Sequence, residues 1–398
     1  MKQGVTIPIG LMALLGGLTL LPFTSREEPA LRHQLFPPRE FLLVPTLVAT
    51  GDDCLECHQN VCEQHSVSPH ANTLKRTSSP GAAEFFDGQN WNDSAGQPIL
   101  SWSLQEGILQ LSHREHERRW AIEWIFGSGR HAQTPLITWT NQDGQSVSIE
   151  HCASAYGQGV IGATLEMEGL ADADGMAALG GFRSHEQTVN CFGCHSGSVP
   201  VQNGQIQFDQ VVPGVQCSRC HQDAQQHAQR MRDGLPLQIP AFRSLTPEES
   251  INRCGECHRR SDELGGQLRP DDPILPRFAP VGLSQSACFQ KQASVRTSDG
   301  HAARFDCLSC HDPHAAGITD WQHHVRVCLD CHDPQEANLH SCSVAAQDTN
   351  CIACHMPAVP AGEHLKFTDH WIRRPDQDSV AELLKSVLSQ SKQPATIP

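Results

Sequence analysis

The sequence predicts an α+β fold, mainly short helices and loops with little regular secondary structure, interrupted by one β-rich antiparallel insert. Three observations carry that expectation. One five-residue pattern recurs seven times along the 398 residues. Hydrophobic content is only 38%, with one Tyr and 14 Phe, which is thin for a core of this size. Strand-like alternation is concentrated in one stretch, between the first and second copies of the pattern.

The repeated string is Cys-x-x-Cys-His. Its copies comprise Cys54, Cys57 and His58; Cys191, Cys194 and His195; Cys217, Cys220 and His221; Cys254, Cys257 and His258; Cys307, Cys310 and His311; Cys328, Cys331 and His332; and Cys351, Cys354 and His355. Composition alone predicts about 0.05 such matches in the chain. This is the attachment pattern of c-type haem: two thiols add to the vinyl groups and the adjacent His places a ring nitrogen on one face of the iron. A zinc ribbon pairs its knuckles and does not need a His after the second Cys, whereas here the number is odd and every copy carries the His. A thioredoxin-like pair would occur once, near a βαβ pattern, and a disulfide scaffold would not repeat one local spacing. The cofactor expected is therefore haem c, seven copies, covalently attached. Flat apolar porphyrin faces then make up the shortage of core residues, so the helices and loops are organised around haems and the chain without them should be largely unfolded.

Residues 1–23 hold Lys2 and an apolar run from Ile7 to Phe23, the form of a secretory signal peptide or an N-terminal membrane anchor. Haem is attached to such motifs outside the cytoplasm, so export to a periplasmic or other extracytoplasmic location is expected. Residues 24–50 are Pro-rich and read as a linker, and 51–84 as a first haem-binding segment. Residues 85–165 form the β-rich insert: ILSWSLQEGILQLSH and RRWAIEWIFGSG alternate, and LITWT-NQDG-QSVSIE reads as a hairpin. Residues 166–375 are haem-dense, with motifs 26, 37, 53, 21 and 23 residues apart, room for single short helices and loops. Residues 376–398 contain DSVAELLKSVLSQS, a short amphipathic helix and tail.

What fills the second face of each iron decides between carrier and enzyme. The chain has six Met, two of them in the N-terminal apolar segment, and Met356 directly follows a motif His. It has 23 His, so 16 remain after the seven motif residues and bis-His ligation is affordable in number. The strings CLECHQNVCEQHSVSPHANTL, IFGSGRHAQTPL, GVQCSRCHQDAQQHA, FDCLSCHDPHA, and NCIACHMP followed by FTDHWIRRP span most of residues 51–375. In these the chain resembles the multihaem c-type cytochromes that share an N-terminal module with the tetrahaem cytochrome of ammonia oxidisers, within the hydroxylamine-oxidoreductase-like superfamily. The resemblance implies distal ligands at His70, His227, His314, His340 and His370. His131, in GSGRHA, and His185, before the second motif, would complete seven. His151, His301, His323, His324 and His364 are substitutes, while His113 and His116 lie in a charged HREHERR stretch that reads as a solvated face. The chain departs from its relatives after the first motif, where Cys62 or His65 stands in place of the usual aromatic. Cys62, Cys152, Cys288 and Cys342 are spare, either paired as disulfides (Cys288 with Cys342 among the options) or buried free thiols.

The expected function is electron transfer along seven haems, mostly bis-His ligated, with no catalytic residue required. Redox proteins are the expected donor and acceptor, and the membrane is a partner only through an uncleaved N-terminus. A net charge of −15 argues against nucleic acid. The alternative is a multihaem oxidoreductase acting on a small nitrogen or sulfur compound at one five-coordinate haem. Against it, no motif has Lys in place of His, the nitrite-reductase pattern. The only Tyr, Tyr156, lies outside the haem-dense region, whereas hydroxylamine oxidoreductases cross-link a Tyr to the catalytic haem.

Overall fold

A computed structural model of the chain describes residues 51–93, 95–157, 159–170, 175–235, 238–239, 242–260, 271–292, 303–317, 320–332 and 350–374. The N-terminal apolar run, the Pro-rich linker, His301, His340, Cys342 and the C-terminal amphipathic segment lie outside the described residues. Among the described residues no helix is long and apolar enough to cross a membrane. The fold is α+β, with short helices and antiparallel sheets.

Strands occupy most of residues 74–183. They are β1 (Leu74–Arg76), β2 (Asn90–Asn92), β3 (Pro98–Gln105), β4 (Ile108–His113), β5 (His116–Ile122), β6 (Trp124–Phe126), β7 (Ala132–Thr140), β8 (Ser146–His151), β9 (Ala153–Tyr156), β10 (Val160–Ala163) and β11 (Gly180–Arg183). They form a four-stranded sheet, β2-β3-β4-β5, and a seven-stranded sheet along β1-β6-β7-β8-β11, with β9 on β7 and β10 on β9. Local sequence dictates the hairpins. Gln105 pairs with Ile108 across Glu106 and Gly107, both at positive φ (51° and 78°), the two-residue turn whose twist matches the strands. Thr140 pairs with Ser146 across the NQDG turn, where the Asn141 carboxamide oxygen accepts from the backbone N–H groups of Asp143 and Gln145.

The alternation of side chains sorts these strands into two cores. Trp102, Leu109, Leu111 and Ile122 of the smaller sheet meet Ile125, Ile137 and Ile149 of the larger. The other face of the larger sheet turns Trp124, Phe126 and Leu136 toward Phe192, Val199, Ile206 and Val211. Strand β6 is thus buried on both faces, Ile125 on one side and its neighbours on the other.

The helices are short: α1 (Gly51–Leu55), α2 (Gln59–Ser66), α3 (His185–His195), α4 (Cys217–Cys220), α5 (Ala224–Arg232), α6 (Pro247–Gly255), α7 (Ala279–Gln285), α8 (Ala287–Lys291), α9 (Cys307–Cys310), α10 (Trp321–Leu329) and α11 (Cys351–His355). Small two-stranded sheets pair β12 (Ser196–Ser198) with β15 (Val212–Pro213), β13 (Val201–Gln202) with β14 (Gln205–Ile206), and β16 (Ala358–Ala361) with β17 (Leu365–Thr368). A third core joins Ile251, Leu275, Phe278, Val281, Phe289 and Trp371, with Cys307 packed against it.

His151 sits in the sheet core, its ring 5.4 Å from that of Trp102 and its Nδ1–H on the Leu179 carbonyl at 2.5 Å. Burial pushes it down to about 4, so it stays neutral when folded while the unfolded chain takes up a proton near pH 6.5. The stability it supports is complete above that pH and falls as pH drops toward 4, by about 3 kcal/mol in all. Denaturant titrations between pH 7 and 4 should show this loss, and His151→Leu should flatten it. The two cores of the strand region contain few motif residues, so this region should keep its fold without haem. Protein made without haem attachment and treated with protease should leave a resistant fragment covering roughly residues 74–213, while residues beyond 240 are digested.

Candidate haem-binding site

Every motif begins or lies in a short helix. In five of them the His N–H bonds the carbonyl of the first Cys: His58 to Cys54 at 2.8 Å, His221 to Cys217 at 2.8 Å, His258 to Cys254 at 2.9 Å, His311 to Cys307 at 3.0 Å and His332 to Cys328 at 2.9 Å. One turn of helix therefore brings both thiols and the imidazole to a common side. Side chains just before the motifs set where the turn starts. The Asp306 carboxylate accepts from the Leu308 N–H, and the Asn350 carboxamide oxygen from those of Ile352 and Ala353. Both caps stand immediately before a motif Cys, a signal present in the sequence and overlooked there.

Four of the motif histidines are held toward the neutral form by their surroundings. Burial, then neighbouring imidazoles, pushes His258 and His311 down to about 4, and burial also lowers His195 and His221. A neutral ring is the form that binds metal. Several rings also have one nitrogen committed. Nδ1–H donates to a backbone carbonyl in His70 (Pro313, 3.1 Å), His195 (Thr73, 3.0 Å), His355 (Arg373, 2.9 Å) and His370 (Thr368, 2.8 Å). Such a bond fixes the tautomer and leaves Nε2 as the ligating atom. His314 directs Nδ1 at the Asp312 carboxylate, 3.2 Å away.

Four motif rings each face a ring from a distant part of the chain. His58 and His227 have centroids 6.3 Å apart, His258 and His70 5.9 Å, His221 and His314 6.1 Å, and His311 and His370 6.2 Å. Two imidazoles on opposite sides of one metal, each with a bond of about 2 Å, have centroids roughly 6 Å apart. The donor set and its spacing fit an iron between each pair.

The remaining candidates fall elsewhere. His131 lies against Phe367, 6.5 Å between centroids, and His185 anchors the start of α3 through Nδ1 on the Ser146 carbonyl at 3.0 Å. Neither faces a motif ring. His324 is the exception, at the same spacing from a motif ring, 5.8 Å from His311, so that ring faces both His370 and His324; His323 lies next to His324, while His364 packs on Tyr156 at 4.9 Å. His113 and His116 are together at the end of the β4–β5 hairpin, 4.8 Å apart, and His113 is buried where the charged stretch reads as a solvated face. Trp120, beneath them, supplies the apolar cover. The described spare cysteines are free thiols; Cys152 is buried with its thiol on the Ala178 carbonyl, and burial pushes it up to about 12, which keeps it inert.

A cavity of about 560 Å³ opens beside the loop that carries His70, lined by Ser68, Asn72, Lys75, Ser128, Arg130 and Ala316. It places two cations, Lys75 and Arg130, on the same cavity wall as Ser68 and Pro69, which precede His70. The Arg130 guanidinium donates to the Ala316 carbonyl at 3.1 Å, tying the GSGRH loop to the segment after the fifth motif.

Residues 184–268, which include the second, third and fourth motifs, match the cytochrome c3 family model. Among solved structures, the outer cell wall cytochrome OcwA aligns at 13% identity with a TM-score of 0.49, covering 86% of each chain. The comparison with curated proteins gave no match. The family match supports a multihaem c-type cytochrome with covalently bound haem c, an electron-transfer protein that works with redox partners.

Proposed function

We propose that this chain is an exported cytochrome that carries electrons along seven c-type haems. The observation that carries the reading is the set of four ring pairs at 5.9–6.3 Å, each combining a motif His with a remote one. In this reading His227 is distal to the first motif, His314 to the third, His70 to the fourth and His370 to the fifth. The 14 motif cysteines hold the haems by thioether bonds, and Lys75 and Arg130 would meet propionates at the cavity beside His70. Bound haem supplies one-electron redox chemistry. The chain's part is to close both faces of each of these irons with imidazole, which denies them to substrate and favours low potentials. Export is inferred from the attachment chemistry and the Ile7–Phe23 apolar run, with the N-terminus either cleaved or kept as an anchor.

The second, sixth and seventh motifs give the enzyme reading its foothold. Among the described residues, His195, His332 and His355 have no histidine ring at axial spacing. His340, outside the described residues, and His131 and His185 are the proposed ligands for these three. Spin-state counting decides. Low-temperature spectra of the oxidised protein should show seven low-spin haems, with a mass increase of seven haems over the bare chain. A high-spin haem that binds nitrite, sulfite or CO would turn the reading toward an oxidoreductase. Asp312 supplies a finer test. Its carboxylate makes the His314 imidazole a stronger donor and so favours the ferric state. Asp312→Asn should raise the midpoint potential of one haem, read by spectroelectrochemical titration; an unchanged or lowered potential would contradict the pairing of His314 with the third motif.

A further inference from the structure

Contacts between motifs order the haem sites in space, and the order is not the order of the sequence. Cys54 lies beside Cys217, and α1 packs on α5, whose Arg232 reaches the Asp53 carbonyl at 3.1 Å, so the first motif adjoins the third. The second motif has no backbone hydrogen bond to the first among the described residues. Its Gly193 carbonyl accepts from the Arg219 guanidinium of the third motif at 2.7 Å, and its Cys194 thiol reaches the Glu256 carbonyl of the fourth at 3.8 Å.

The fourth motif is where these lines meet. Cys257 lies beside Cys194 and Arg219, the same two side chains that bond Glu256 and Gly193, so the second and third motifs both abut it. Helix α6, in whose last turn Cys254 lies, packs on α9 with Cys254 beside Cys307, which brings in the fifth. The loop after the fifth motif adds a further tie: the Pro313 carbonyl accepts from His70, the ring that faces His258, and His314 beside it faces His221. Beyond this point both remaining motifs approach the fifth: the seventh is tied by His355 to Arg373 at 2.9 Å and by the Pro357 carbonyl to the Asp369 N–H at 2.9 Å, on the segment whose His370 faces His311. The His324 ring, on the helix that opens the sixth motif, stands 5.8 Å from His311, and α10 packs on α11 of the seventh.

The second motif is also the most enclosed at this junction. Phe192 is fully buried against Trp124 and Phe126, and Ser196 and Ser198 behind it are 1% and 2% exposed. By contrast Cys57 and Cys331 are exposed.

We infer that the haem array is branched: the fourth-motif site is a junction adjacent to the second, third and fifth, and the second is an enclosed side branch off the line that runs first, third, fourth, fifth, with the sixth and seventh beyond the fifth. This rests on the electron-carrier reading and extends it, since an electron on the side branch is held out of reach of docking partners while remaining in exchange with the junction.

Redox titration of the intact holoprotein tests the branching by counting. In His70→Met the thioether ligand raises the potential of the fourth-motif haem, so that haem stays ferrous while the others titrate. The extra electron lowers, by charge repulsion, the midpoints of the haems beside it and of no others. Three further haems should shift and three should not. Two shifted haems would make the fourth motif an interior point of an unbranched line, and one would make it an end; either overturns the inference. If His70→Met alters no haem, the ligand assignment fails instead. The wild-type holoprotein then decides the adjacency through its iron positions: the fourth iron must have the second, third and fifth as its nearest neighbours, and a second iron nearest to the first or the seventh overturns the branch.

Discussion

An imidazole held across a metal-sized gap from another imidazole, far away in sequence, is the constraint on which the haem-dense half of this molecule depends. His58 meets His227, His70 meets His258, His221 meets His314, and His311 meets His370. The helices of this half are four to eleven residues long, below the length at which a helix holds in water without tertiary support. The apolar cluster around Phe278 and Trp371 joins parts of this half, but the first, third and sixth motifs lie outside it. Closing such long loops is costly in chain entropy, and a metal shared between the two ends is a bond strong enough to offset it. In the proposed reading, ligation and folding are one event for this half of the chain.

The strand region works on the opposite principle. Its core is side chain on side chain, Trp102 and Leu111 against Ile137 and Ile149, and its turns are set by local chemistry such as the Glu106–Gly107 pair at positive φ. The two halves meet through β6, which buries Ile125 in the sheet core and Trp124 and Phe126 against α3 of the second motif. The sheets thereby seat one haem site rigidly. Around it, Thr73 just before β1 receives the His195 Nδ1–H and returns its own hydroxyl hydrogen to the His195 carbonyl at 2.8 Å.

Much of this was legible in the sequence where the information is local. Cysteine spacing gives the motifs and their proximal histidines, and alternation with turn residues gives the β3–β4 and β7–β8 hairpins. The resemblance to multihaem cytochromes points to His70, His227, His314 and His370, and each of these faces a motif ring. The pairing was not legible, because the ring at residue 314 faces the one at 221 and nothing local records that. His151 reads as a substitute ligand in the sequence, yet it lies inside the sheet core, since strand β8 buries both of its faces there. The spatial order of the motifs was likewise hidden, as it comes from contacts such as Arg219 on Gly193 that no periodicity announces.

The central claim is that four named histidines, and not others, close the second face of four named haems. It is tested most directly by replacing them one at a time, as His70→Ala, His227→Ala, His314→Ala and His370→Ala, in holoprotein of verified haem content. The oxidised near-infrared and electron paramagnetic resonance spectra are then compared with those of the parent. Each substitution should convert one low-spin bis-histidine haem to a high-spin haem, and His116→Ala, on the β4–β5 hairpin, should convert none. Variants at the four positions that keep every low-spin haem would contradict the account.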